Sequence, residues 1–245
     1  MIRYFLVIAL IFSCVEIAYC QLPAISNEAK ALQYVTAIYS KSLSQQAGIY
    51  SGFDYIGYPY PVKKGHPFFL SVEPQRGDIY YDGMQYKDIP LWYDLVKKEV
   101  VTQHYDNFSR ISLHPAKVRD FSISGHHFIH IDETEAIRQG LEKGFYDRIY
   151  SGSSTVLVRR AKDMLISTDL DGIWVNFSTE QTRIFLRTGT EYTPLGSQKS
   201  VIKALGRYGK EIQAHLKETR IRFKKEREKA IVAMVAYYDQ LSTKL

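Results

Sequence analysis

His126, His127 and His130 form the most metal-like cluster in the chain. On an extended strand His126, Phe128, His130 and Asp132 share one face, while His127, Ile129 and Ile131 share the other. His126 and His130 then stand about 13 Å apart, too far to ligate one ion. The pattern therefore predicts histidines on a solvated face, with no metal and no other cofactor. His-x-Glu and His-Glu-x-x-His spacings are absent. Asp169-Leu170-Asp171-Gly172 has the look of a calcium loop. With Gly172 as its sixth residue, however, Ser178 occupies the position that needs a bidentate glutamate, so a β-turn is the better reading.

Ser200-Val201-Ile202-Lys203 matches Ser-x-x-Lys, where a lysine one helical turn away activates a serine. Its basic-Thr-Gly companion, Arg187-Thr188-Gly189, precedes the serine instead of following it, and no Ser-Asp-Asn lies between them. A surface helix is expected there. The chain has no Gly-x-Ser-x-Gly elbow and no phosphate-binding glycine loop. Asp and Glu residues remote in sequence could still assemble in space as a glycosidase pair.

The most suggestive binding feature is the turn-rich stretch 48–65, which carries Tyr50, Phe53, Tyr55, Tyr58 and Tyr60. Exposed rings stack on sugar faces or anchor a protein partner. The competing reading, which is favoured, has them capping the end of a sheet. A basic run, Lys217 to Lys229, is interleaved with Glu218, Glu226 and Glu228 at helical spacing and reads chiefly as a salt-bridged solvent face.

The elements that would position these residues are mostly strands. Asn27 can cap a helix to about Ser44. Asp82-Gly83 favours the positive φ angles of a type I′ turn, pairing Tyr81 with Met84 and Ile79 with Tyr86 on an apolar face. Strand-like runs follow at 91–95, 100–105, 110–113, 118–123 and 127–131, then a helical connector over 133–143. They resume at 148–150, 155–159, 173–177, 184–187 and 191–193. From Ser197 the period becomes helical, with a long helix over about 224–241 and an apolar stripe of Ile231, Met234, Val235, Tyr238 and Leu241. Ile49-Tyr50-Ser51-Gly52 recurs as Ile149-Tyr150-Ser151-Gly152, a four-residue match that chance explains equally well.

These signals define an α+β fold: an antiparallel β-meander domain (sheet, roll or half-barrel) with an N-terminal helix and a C-terminal helical segment. The organisation expected is a signal peptide over 1–20, a helix over 21–48, the β domain over 49–195 and helices packed on it over 196–245.

Arg3, the apolar run Tyr4 to Val15, and small Ala18 and Cys20 before Gln21 read as a cleavable export signal. The run is shorter than the roughly 20 residues a membrane span needs. A cut before Gln21 removes both cysteines, Cys14 and Cys20, leaving no disulfide and no thiolate ligand. The alternative route is a lipobox at Ile17-Ala18-Tyr19-Cys20, with Cys20 acylated and the protein tethered. Bulky Tyr19 counts against it. The net charge of +6, in an exported protein, suits anionic glycans, lipid headgroups or acidic proteins rather than nucleic acid. Nineteen tyrosines against two tryptophans suit half-buried strand faces, where rings pack and hydroxyls stay wet.

Gly65-His66-Pro67-Phe68-Phe69, Gly77 to Gly83, Leu91-Trp92-Tyr93-Asp94, Lys117 to Phe121, Gly144-Phe145-Tyr146 and Tyr237-Tyr238-Asp239 together form a pattern. It resembles one found in uncharacterised exported proteins of Bacteroidetes-type bacteria. The resemblance spans nearly all of residues 21–245. It implies a cell-envelope setting, periplasmic or outside the cell, and assigns no activity. The expectation is a non-catalytic envelope protein that binds or scaffolds an envelope protein or glycan. The alternative is a hydrolase on envelope polymers with carboxylates assembled in space.

Overall fold

A computed structural model describes residues 48–243, together with Ala31, Tyr34 and Val35, which are helical. The expected signal peptide, with Cys14 and Cys20, lies outside the described residues, as does the rest of the helix expected over 27–44. The strands are β1 (Phe53–Asp54), β2 (Val62–Lys64), β3 (Gln75–Tyr81), β4 (Met84–Asp94), β5 (Glu99–Gln103), β6 (Arg110–Ser112), β7 (Val118–Ile123) and β8 (His126–Ile131). After helix α1 (Glu133–Gln139) come β9 (Gly144–Ser151), β10 (Thr155–Ala161), β11 (Met164–Asp169), β12 (Gly172–Phe177), β13 (Gln181–Arg187) and β14 (Thr193–Leu195). Helices α2 (Gln198–Leu205), α3 (Gly209–Glu218) and α4 (Arg227–Thr243) follow. The fold is α+β. Eleven strands form one antiparallel sheet in the order β1-β6-β5-β4-β3-β7-β8-β9-β10-β13-β14, and β11-β12-β2 form a small second sheet.

Local chemistry fixes the register. Asp82 and Gly83 have φ of 49° and 81°, and around them Tyr81 pairs with Met84 and Ile79 with Tyr86. Gly77 lets β3 and β7 approach, because a Cβ there would stand 2.2 Å from the Ser122 carbonyl oxygen. Asp132 caps α1 by accepting from the Glu135 amide, and Gly140 ends that helix at φ 67°.

The large sheet curls on itself. β4 and β9 lie four strands apart, about 19 Å in a flat sheet, yet the Tyr93 and Phe145 rings meet at 5.7 Å. Phe121 and Phe128 stack at 4.7 Å with Tyr93 edge-on to both. These rings fill the concave face, together with Phe69, Ile79, Tyr81 and Leu91. At the far end of the sheet the same face is covered by helices. Val156, Val158, Ile184 and Leu186 share a core with Val201, Leu205, Ile212, Ile231, Met234 and Val235.

The long C-terminal helix starts at Arg227 rather than near Lys224, after a turn in which Arg220 takes φ 56°. The two Ile-Tyr-Ser-Gly copies adopt different conformations. Ile49 and Tyr50 lie in a 3₁₀ turn, while Ile149 to Ser151 end β9. No described helix is long and apolar enough to cross a membrane.

Candidate functional site

On the inner face of β8, β9 and β10, His126, Asp147 and Arg160 stand among the apolar residues Phe128, Phe145, Ile149 and Val158, so three adjacent strands bring polar groups to the seam between the two cores. Asp147 and Arg160 are buried, with side chains 1% and 5% exposed. Asp147 Oδ2 lies 2.6 Å from His126 Nδ1 and accepts from Arg160 Nε at 3.0 Å and Nη2 at 2.5 Å. Arg160 Nη1 donates to Glu180 Oε1 at 2.7 Å, and Nη1 and Nη2 fork onto Glu228 at 3.0 and 2.8 Å. Glu228 comes from the first turn of α4 and Glu180 from the turn before β13. The Arg160 guanidinium also sits 5.4 Å from the Phe69 ring centre, and Phe69 is edge-on to His126. Burial works against the charge on Arg160, but the bonds and fields of Glu228 and Asp147 outweigh it and hold its pKa above the ordinary guanidinium value.

The carboxylate-bound imidazole has the form of the orienting half of a catalytic triad. Among the described residues no hydroxyl bonds to His126. Ser122, the candidate hydroxyl nearest in register, pairs instead with His127 Nδ1 at 2.9 Å on the opposite face. His130 packs against Phe145 at 4.9 Å. The three histidines thus have three separate environments, and among the described residues no group of His, Cys, Asp or Glu is arranged to hold a metal. Sequence reasoning found His126 but missed Asp147, Arg160, Glu180 and Glu228. Two arginines ending the apolar run Val156-Leu157-Val158-Arg159-Arg160 were the available signal, since strand alternation turns Arg160 to the side of Val156 and Val158.

The tyrosine-rich stretch divides. Tyr55 and Tyr58 donate to the buried carboxylate of Asp94 at 2.7 and 2.8 Å, and Lys97 lies over both rings at 4.9 and 5.1 Å. Asp94 also accepts from the Val96 and Lys97 amides at 2.9 Å. Burial, then the Asp94 bond, pushes both tyrosine hydroxyls well above the usual phenol range. Tyr50 leans on the main core and meets His104 and Tyr105 edge-on, while burial raises its pKa. Phe53 is exposed beside His114, and Tyr60 is exposed. The structure therefore does not bring the five rings together as one face.

The remaining motifs have structural duties. Asp169 to Gly172 forms the β11–β12 turn. Asp169 accepts from the Asp171 amide and Trp174 Nε1 and pairs with Lys63, which holds its pKa down to about 2. Ser200 completes a capping box with Ser197 at the start of α2, so its hydroxyl serves the helix and not Lys203. In the basic run Glu226 and Glu228 do not pair with Arg222 and Lys224, the bases one helical turn before them. Glu226 pairs with Lys229 and Glu228 with Arg160, because the helix begins only at Arg227.

The small sheet carries the plainest exposed surface. Along β11, at one edge of it, Leu165 and Ile166 are 60% and 56% exposed on opposite faces, and Leu170 in the following turn and Ile173 on β12 are exposed as well. In comparisons with known proteins, no family model, curated protein or solved structure matches this chain.

Proposed function

We propose that this protein is an exported, non-catalytic component of a cell envelope that binds or scaffolds another envelope protein. One observation carries the reading. The edge strand β11 runs Met164-Leu165-Ile166-Ser167-Thr168-Asp169 with no lysine, proline or register shift along it, and nothing pairs with its outer side among the described residues. Natural sheets guard such edges, and an unguarded edge with protruding aliphatic side chains suits docking by strand addition. The sheet interior supports the same reading, since its concave face is filled by aromatic rings and helices.

The hydrolase alternative draws less support. A paired-carboxylate mechanism needs one carboxyl kept protonated by its surroundings. Here Asp147, Glu180 and Glu228 all accept bonds from the one Arg160 guanidinium, so each is engaged in an ion pair within a single cluster.

Co-purification from the native host tests the proposal, comparing the wild-type chain with Ile166→Lys. The exposed position predicts unchanged folding, a reproducible envelope partner with the wild type, and its loss with the variant. Recovery of the same partner by both proteins, or of none by the wild type, sinks the reading. Mass spectrometry of the mature N-terminus tests export. A start at Gln21 fits the cut proposed, and a lipid-modified Cys20 fits the tether.

A further inference from the structure

β14 stops before β13 does. β13 extends from Gln181 to Arg187, but β14 pairs only with its residues 184–186. Pro194, opposite Phe185, has no N–H, and an edge strand accepts proline with its nitrogen turned outward. The pairs that exchange hydrogen bonds are therefore Ile184–Leu195 and Leu186–Thr193. Alternation by two turns the N–H and C=O of Thr182 to the same side, where β14 no longer reaches.

A cleft of about 430 Å³ opens at that point, lined by Leu141, Thr182, Arg183, Phe185, Leu195 and Arg227, among others. Ligand sites run from roughly 300 to 1,000 Å³, so it suits a short occupant. Arg227 lines it and is held by donating through Nη2 to the Leu195 carbonyl at 2.6 Å; its Nε is enclosed by the protein, and its Nη1 makes no hydrogen bond among the described residues. Glu142 shares the cleft but is already engaged by Arg159 and Arg183. The local charge is positive.

An open strand edge, apolar walls and an unsatisfied guanidinium N–H call for three features in one ligand: a backbone to pair, an apolar side chain and a carboxylate. We infer that the cleft captures the free C-terminus of an extended peptide, independently of the β11 edge. The peptide runs parallel to β13. Its backbone pairs with Thr182, its last side chain rests on Leu141 and Phe185, and its carboxylate reaches Arg227. Its end meets Leu195 and Gly196, which line the cleft where the pairing of β14 with β13 stops. The antiparallel orientation would bring a positive amino terminus against Arg227, and charge excludes it.

The test is fluorescence anisotropy on the purified full chain at low salt, using a fluorescein-labelled hexapeptide ending in Val-Leu with a free carboxylate. Saturable binding is expected, weakened about tenfold or more when the same peptide ends in an amide, as loss of a charge-assisted bond implies. N-methylation of the residue facing Thr182 should weaken it as well. Arg227→Gln should abolish the preference for acid over amide. Because that variant also loses the Leu195 contact, its fold is checked by circular dichroism, while the peptide arms need no mutation. Absence of saturable binding overturns the inference, as does equal binding of acid and amide. Equally tight binding of an amidated peptide with an internal aspartate overturns it too, by assigning the site to side-chain carboxylates.

Discussion

At the scale of single residues the buried charges are the most demanding groups. Three carboxylates converge on Arg160, whose side chain is 5% exposed, and one of them, Asp147, also holds the His126 imidazole. Removing one member of a buried ion cluster leaves the others uncompensated, at a cost of about 3–5 kcal/mol. Arg160→Ala is therefore expected to destabilise by that order, and Glu228→Gln by less, because Glu228 is one-third exposed. Urea titration measures both, and equal effects would count against a guanidinium-centred cluster. His130 gives a pH signature. Burial lowers its pKa despite the opposing fields of Asp132 and Glu135. A depressed histidine pKa means the native state prefers the neutral ring, so the unfolded chain takes up its proton first. The stabilisation is complete above the unfolded value of about 6.5 and is lost as pH falls through the lowered native pKa. Stability measured from pH 8 to 5 should decline in that window, and His130→Gln should flatten the decline.

At the scale of elements, legibility followed turn chemistry and one-sided burial. The Asp82-Gly83 hairpin was readable because the turn residues and the apolar face of Ile79 and Tyr81 agree. β4 reads as two pieces, the hairpin arm from Met84 and the run from Leu91, because Asp88 and Pro90 interrupt the pattern between them. The strand in fact continues from Met84, with a register shift in β3 between Gly77 and Ile79. β11 gave no signal at all, since both of its faces are exposed and nothing alternates. Tyr55 and Tyr58 were visible as a cluster, but their role depends on Asp94, 39 and 36 residues away, which no local pattern encodes. Gly77 offers a test of how tightly these elements meet. An added methyl would stand 2.2 Å from the Ser122 carbonyl oxygen and 2.7 Å from Ile123 Cγ2, forcing β3 and β7 apart. Gly77→Ala should cost about 1–3 kcal/mol as overpacking does. Gly189→Ala, with open space around it, should stay within about 0.5 kcal/mol. Thermal melts of the two variants separate these outcomes.

At the scale of the whole molecule the curl of the sheet decides what can cooperate. It folds one face into two adjoining cores, one closed by aromatic rings and the other by α2–α4, with the Arg160 cluster spanning the seam. α4 is joined to the sheet at both ends. Glu228 reaches Arg160 in its first turn. In its last, buried Asp239 accepts from Tyr150, the Ser154 amide and the Ser154 hydroxyl at 3.0, 2.8 and 2.6 Å. Between them Met234 is fully buried in the shared core. A helical segment held by its own contacts would melt apart from the strands, whereas one tied in this way must unfold with them. Met234→Ala should lower stability by about 2–5 kcal/mol while leaving a single transition. Trp92 and Trp174 lie on β4 and β12, so tryptophan fluorescence follows the sheets, and helical ellipticity follows α2–α4. The two melting curves should coincide in the wild type and shift down together in the variant. Loss of ellipticity ahead of fluorescence would mean that the helices form a separate folding unit, and that the seam contributes contact without cooperativity.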